Sequence, residues 1–390
     1  MNFDYETLRL VYWALLVLAV TGFVVCDGLV IGTNMLLPLL AKTDADRQAM
    51  IGSIAPTSLG LQAWLVVAIA LSFAAWPIAY AVLFSCLQFL LLLMLLAWMA
   101  RPLGLYFRNA SENPLWRQNW DKVLAVSGFL LASLLGILCG NLLKGVPFHL
   151  DSDMRIFFLG DFWGLFNPFT LLIAAVSLSL LLLYGAAYQQ LKCHGEIYSH
   201  DKTLVYKAGA AFLILFALAG LWITRLEGYH VTSEIFPNGV TNPLNKFAKR
   251  SEGLWLDNYE HQPGLWAVPI LAFVGAGATL YLTKLNRDYW AFIAAITTVI
   301  MAVLTAAVSL FPFLLPSNRS LNSSLTIWDA SASHNTLSTL LWIVAFAFPL
   351  LMIASRWAFR FWVDSGRSTV TGNSIDSPDA NNHSPKDDYA

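Results

Sequence analysis

Apolar residues in this chain fall in long unbroken runs separated by short polar stretches. Nine runs, at 10–40, 59–76, 78–99, 123–143, 168–188, 208–223, 264–282, 290–315 and 337–358, reach or approach the length that crosses a hydrocarbon core, about 20 helical residues. None alternates in the period of a barrel strand, and backbone polar groups in lipid must be satisfied within their own segment. The pattern therefore predicts an all-α, polytopic membrane bundle of about nine helices. The first run is longer than one crossing and contains Asp27-Gly28 and Gly32-Thr33, so tilt, a kink or an interfacial extension must absorb the excess. Pro77 separates the second and third runs and predicts a tight hairpin there. Arg101-Pro102 reads as the end of the third run.

Composition strengthens this reading: 57% of residues are hydrophobic and 12% charged, with a mean hydropathy of +0.61. A net charge of −1 without a basic stripe argues against a nucleic-acid partner. With nine crossings and the N-terminus outside, the inner loops hold 15 basic residues and the outer side 8, which favours an N-out, C-in topology. The apolar run after Met1–Arg9 is far longer than the core of a signal peptide, so insertion by the first helix is expected. Residues 1–363 read as one integral membrane unit. Residues 364–390 are Ser, Asp, Asn and Pro with almost nothing apolar, and predict a disordered polar tail.

Candidate chemistry is sparse. Asp27 is the one ionisable side chain near the middle of an apolar run, where an unassisted carboxylate costs several kcal/mol. Four single cysteines, Cys26, Cys86, Cys139 and Cys193, spell out no metal or redox pair. All seven histidines fall in loops, at helix ends or in the tail, so no axial haem ligand projects from mid-helix. Most tryptophans, Trp76, Trp98, Trp163, Trp266, Trp290, Trp342 and Trp357 among them, sit at run ends as interfacial belts do. Arg101 and the stretch from Arg117 to Lys122 read as inner-face anchors, or as a fixed cation at the mouth of a polar path. Asp329 lies between the last two runs, where helix capping or a loop role is the plain reading. No phosphate-binding loop, dinucleotide fingerprint, hydrolase elbow or metalloprotease helix occurs.

Several stretches, in order, resemble the second subunit of the cytochrome bd quinol oxidases. They include Asp4-Tyr5-Glu6-Thr7-Leu8-Arg9, Cys26-Asp27-Gly28, Ala75-Trp76-Pro77, Arg101-Pro102-Leu103-Gly104 and Trp116-Arg117-Gln118-Asn119-Trp120-Asp121. The most specific are Gly140-Asn141-Leu142-Leu143-Lys144-Gly145-Val146-Pro147-Phe148, Asn242-Pro243-Leu244-Asn245-Lys246 and Ser324-Leu325-Thr326-Ile327-Trp328-Asp329-Ala330. The resemblance implies two four-helix groups plus one helix in a bacterial cytoplasmic (inner) membrane. It also implies a partner, the haem-bearing subunit I, which holds haems b and d, oxidises quinol and reduces oxygen to water. This chain would ligate no haem or metal and would carry no catalytic residue. Its implied work is to support the partner and to help shape proton or oxygen routes; in some members it holds a quinone. A small single-helix accessory subunit and surrounding lipid complete the implied set of partners.

Two departures from the family pattern bear on the proton route. A second acid is usual three residues after the Asp27 position, and here Val30 stands there. A Trp-Asp-Gly-Asn-Gln type run is usual at the start of the second helix, and here it reads Ser58-Leu59-Gly60-Leu61-Gln62. Val30 and Leu59 can neither exchange a proton nor hold water. Either Asp27 serves an altered route, with Gln62 orienting and Arg101 as the inner cation, or the partner supplies the whole path. Trp64 is a candidate wall for oxygen entrance, against the plainer reading of a membrane-facing aromatic. The alternative from another class is a secondary transporter with a buried Asp in a Gly-interrupted first helix. The long loop at 227–263 offers no residue-level case for a ligand or for a partner surface.

Overall fold

The computed structural model describes residues 3–54, 62–192 and 196–372, with side chains at 196–199 and 358–372 left aside. The helices are α1 (Tyr5–Leu40), α2 (Asp44–Ile54), α3 (Ala63–Ala75), α4 (Pro77–Cys86), α5 (Gln88–Arg108), α6 (Pro114–Lys144), α7 (Pro168–Lys192) and α8 (Glu196–Ile223). They continue with α9 (Asp257–His261), α10 (Ala267–Lys284), α11 (Asp288–Leu310) and α12 (His334–Gly372). Among the described residues, eight helices are long and apolar enough to cross a membrane, or nine if the bent pair α3–α4 is one span. The chain is a multi-pass, all-α membrane protein.

The second and third apolar runs divide differently from expectation. At Trp76 the chain bends by 119° between α3 and α4, because Pro77 has no N–H to continue the helical ladder and begins a new helix as its first residue. A second break at Leu87 starts α5, which runs through Arg101-Pro102 to Arg108 instead of ending there. A proline is tolerated in a membrane helix when neighbouring helices surround it, and α6 packs along α5 here. Residues 55–61, including Ser58 and Leu59, lie outside the description, as do 373–390, most of the expected tail.

Three short antiparallel pairs cover the face that carries the N-terminus: β1 (Phe148–Leu150) with β2 (Ile156–Phe158), β3 (Glu227–Val231) with β4 (Ala248–Glu252), and β5 (Phe313–Leu315) with β6 (Leu325–Thr326). The opposite face carries α2 and the short turns after α5 and α10.

The 36 residues of α1 form one unbroken helix, about 54 Å long at 1.5 Å per residue. There is no break at Asp27-Gly28, so tilt or extension beyond the hydrocarbon core takes up the excess length. It packs against α6, α7, α3 and α11. Glycine makes the α1–α7 approach possible: a Cβ on Gly32 would run into the Leu181 carbonyl oxygen, and one on Gly185 would sit 2.5 Å from the Gly32 carbonyl carbon. Membrane helices approach closely where small residues face each other. Gly32→Val is accordingly expected to cost about 1–3 kcal/mol by overpacking, read as a lower thermal midpoint of the purified protein.

Candidate functional site

Asp27 lies on the buried face of α1 and is fully shielded, as is Arg101 on α5. Arg101 Nη1 donates to Asp27 Oδ1 at 2.9 Å and Nη2 to Oδ2 at 2.7 Å. This is the two-pronged fit of a guanidinium fork to a carboxylate. α6 packs against both α1 and α5, and the long Arg101 side chain reaches across to the far helix. One helical turn from the pair, Ile31 on α1 and Ala97 on α5 belong to a buried apolar cluster with Met35, Leu131, Ala132 and Leu181. In such surroundings each charge is tolerable only because the other is there. Arg101 Nε is buried and has no hydrogen-bond partner.

The other sequence candidates stand apart from this pair. Val30, one turn beyond Asp27, is buried at 1% exposure, so the position of the usual second acid is filled by packed hydrocarbon. Gln62 is buried at the start of α3, and the hydrogen bonds to the Asp27 carboxylate come from Arg101, not from Gln62. Trp64 is 5% exposed and does not face lipid. It lies over Gly22 of α1, meets Phe348 of α12 edge-on at 5.8 Å, and donates from Nε1 to Ser355 Oγ at 2.8 Å. Trp76 also departs from the interfacial belt: it is 1% exposed and donates to the Ile327 carbonyl at 3.3 Å. Trp163, Trp266, Trp290, Trp342 and Trp357 are exposed, as belt residues should be.

Residues 8–362 match the family model described as cytochrome bd terminal oxidase subunit II. The chain belongs to that family. It is 37% identical over 367 residues to cytochrome bd-I ubiquinol oxidase subunit 2 of Escherichia coli K12, covering 94% of this chain and 96% of the relative. It is 40% identical over 357 residues to the probable cytochrome oxidase subunit 2 of Haemophilus influenzae, covering 91% and 94%. The solved bd oxidase of Geobacillus thermodenitrificans has a chain of the same fold, with a TM-score of 0.66 at 15% identity over 95% of this chain and all of that one.

Two ionic clusters of this subunit II chain escaped the sequence reading. On the N-terminal face, Lys246 Nζ meets Asp329 Oδ2 at 2.7 Å and also donates to the Pro243 carbonyl at 2.8 Å. Asp329 does not cap a helix, since α12 begins five residues later at His334. Its oxygens accept instead from the Thr326 backbone N–H at 2.9 Å and the Thr326 hydroxyl at 2.7 Å. Burial pushes the Asp329 carboxyl above its usual range, and burial likewise pushes the Lys246 ammonium below its own; each acts against the other's shift. Beside them Arg9, counted above as an outer basic residue, is 1% exposed. It donates to the Pro237 and Gly239 carbonyls, Thr241 Oγ1 and Ser331 Oγ. The long loop is thereby tied to the start of α1 and to the segment before α12.

On the opposite face, Arg108 is fully buried and donates to Asp121 Oδ1, Gln48 Oε1 and Asp44 Oδ1, each at 2.6 Å. Arg117 adds a second cation to Asp44 at 2.9 Å; desolvation, the largest single effect, pushes the Asp44 carboxyl up, but the hydrogen bonds and charges of Arg117 and Arg108 together hold it below its usual range. One signal could have exposed both clusters. Lys246 and Asp329, which pair with each other, and Arg117 and Asp121, which pair with Asp44 and with Arg108, lie inside the stretches that carried the resemblance, and charges in such stretches are candidates for pairing.

Proposed function

We propose that this chain is the second, haem-free subunit of a quinol:oxygen oxidoreductase in a bacterial cytoplasmic membrane, where it braces the haem-bearing subunit I and conducts no protons through Asp27. The observation that carries the second half is the buried two-bond Arg101–Asp27 pair. A relay group must take up and release a proton, and a guanidinium does not give one up. Asp27 is instead engaged at both oxygens by a fixed cation, with hydrocarbon at Val30 where the next carrier would stand. The pair therefore acts as a clamp between α1 and α5.

Quinol oxidation and oxygen reduction belong in this reading to the partner, which holds haems b and d; the absence of a mid-helix histidine in this sequence supports that division. The N-out, C-in topology rests on the 15 to 8 distribution of basic residues. Trp64 serves as packing between α1 and α12 in this reading, which its burial supports, and not as a wall for oxygen entrance. The secondary-transporter alternative has no support from the family match over residues 8–362.

Asp27→Asn tests the proposal in the purified oxidase. The amide still accepts one hydrogen bond from Arg101; the stranded cation lowers stability, and quinol-driven oxygen uptake per haem of the assembled complex is expected to stay at the wild-type rate. A large fall in that rate with haem content intact would restore Asp27 to a proton route.

A further inference from the structure

A cavity of about 280 Å³ opens on the N-terminal face between the end of α6 and the start of α7. Three cations, Lys144, Arg250 and Arg319, line it against one carboxylate, Asp161, which is exposed. Arg250 is paired with Glu227. Among the described residues, neither the Lys144 ammonium nor the Arg319 guanidinium has an ion-pair or side-chain hydrogen-bond partner.

The cavity's polar groups are only partly used within the chain. The last carbonyls of α6 are already satisfied: Trp255 Nε1 donates to Leu143 at 3.0 Å and the Tyr229 hydroxyl to Lys144 at 3.2 Å. The free cations therefore do not serve to cap the helix end. Arg250 Nε, a donor, and Asn318 Oδ1, an acceptor, are buried without partners. Both atoms are shielded from the cavity's open space, so what the cavity itself presents is charge: the unpaired Lys144 and Arg319, with Arg250 beside them, leave an excess of cation that an anion would balance. The volume is at the small end for ligand sites, too tight for a large cofactor and adequate for a headgroup.

We propose that this cavity binds a phosphate group. Lys144 and Arg319 would hold the phosphate oxygens, and Arg250 would add positive charge beside them. Lys144 ends one membrane-spanning helix and Pro168 begins the next, so the site lies at headgroup depth. A phosphoglycerol lipid headgroup and free inorganic phosphate share this chemistry, and two arms of one experiment separate them.

The complete oxidase complex is reconstituted in nanodiscs of phosphatidylcholine doped with phosphatidylglycerol, and retained lipid is counted by native mass spectrometry. In parallel, delipidated complex is dialysed against radiolabelled inorganic phosphate. Wild-type complex is expected to retain phosphatidylglycerol over phosphatidylcholine, and Lys144→Gln with Arg319→Gln to lower that preference on the order of tenfold, as loss of a charge-assisted contact does. Lys144→Arg, which keeps the charge, should preserve it. Saturable phosphate binding that the double variant loses, without any lipid preference, assigns the site to the free anion. Equal lipid retention by wild type and double variant, together with no saturable phosphate binding, overturns the proposal. Haem spectra report whether the variants assemble; if the double variant does not, Arg319→Gln alone carries the same comparison.

Discussion

Replacing Arg101 with alanine is expected to destabilise the protein by about 3–5 kcal/mol, the cost of stranding one member of a buried ion pair. The Asp27 carboxylate would stay buried in the helix bundle and lose both of its hydrogen bonds. Asp27 is fully shielded, so only the space vacated by the Arg101 side chain could admit water beside it. The checks are the thermal midpoint of the purified complex and the amount that accumulates in the membrane. Asp27→Asn combined with Arg101→Met removes the stranded charge, and much of the stability should return, because replacing both partners of a buried pair costs far less than removing one. If the double variant is as unstable as Arg101→Ala, the damage comes from packing around the stem of Arg101 and not from the charge.

The second large effect is expected on the N-terminal face. Lys246→Met leaves the Asp329 carboxyl buried and without its cation, again a change of about 3–5 kcal/mol in the docking of the long loop. The variant also acquires a pH dependence whose sign follows from burial. The folded-state affinity of Asp329 for its proton is raised above the ordinary carboxylate value, and losing Lys246 removes a group that opposes that rise. Stability is then greatest at low pH, where Asp329 is protonated, and declines as pH rises through the raised value. Limited proteolysis of residues 227–263 between about pH 5 and about pH 8 should show cleavage quickening with pH, more steeply than in wild type. Cleavage that is no faster than in wild type at any pH would mean that Arg9 alone holds the loop.

These two sites differ in how far the sequence revealed them. Asp27 stood out because a charge inside an apolar run has few innocent explanations, and Arg101 was noted as a cation at the end of another run. What the sequence could not give was their meeting. They are 74 positions apart on helices separated by α6, and without the meeting Asp27 reads equally well as a relay or as a clamp. Lys246, Arg9 and Arg108 drew no such attention. Arg9 and Arg108 flank apolar runs and Lys246 lies inside the long loop at 227–263, places where an exposed anchor or a solvated loop cation is the ordinary reading, and only the packed loops show that all three are buried.

The boundaries tell the same story. Hydrophobic run length determined that the chain is a bundle of membrane helices, and the order of its motifs determined its family, because both are properties of local composition and residue identity. The division at Trp76 and Leu87, the continuation of α5 through Pro102, the burial of Trp64 and the clamp between Asp27 and Arg101 were decided by tertiary structure. A proline or a charge has two outcomes of similar local cost, and the neighbours that choose between them come from distant parts of the chain.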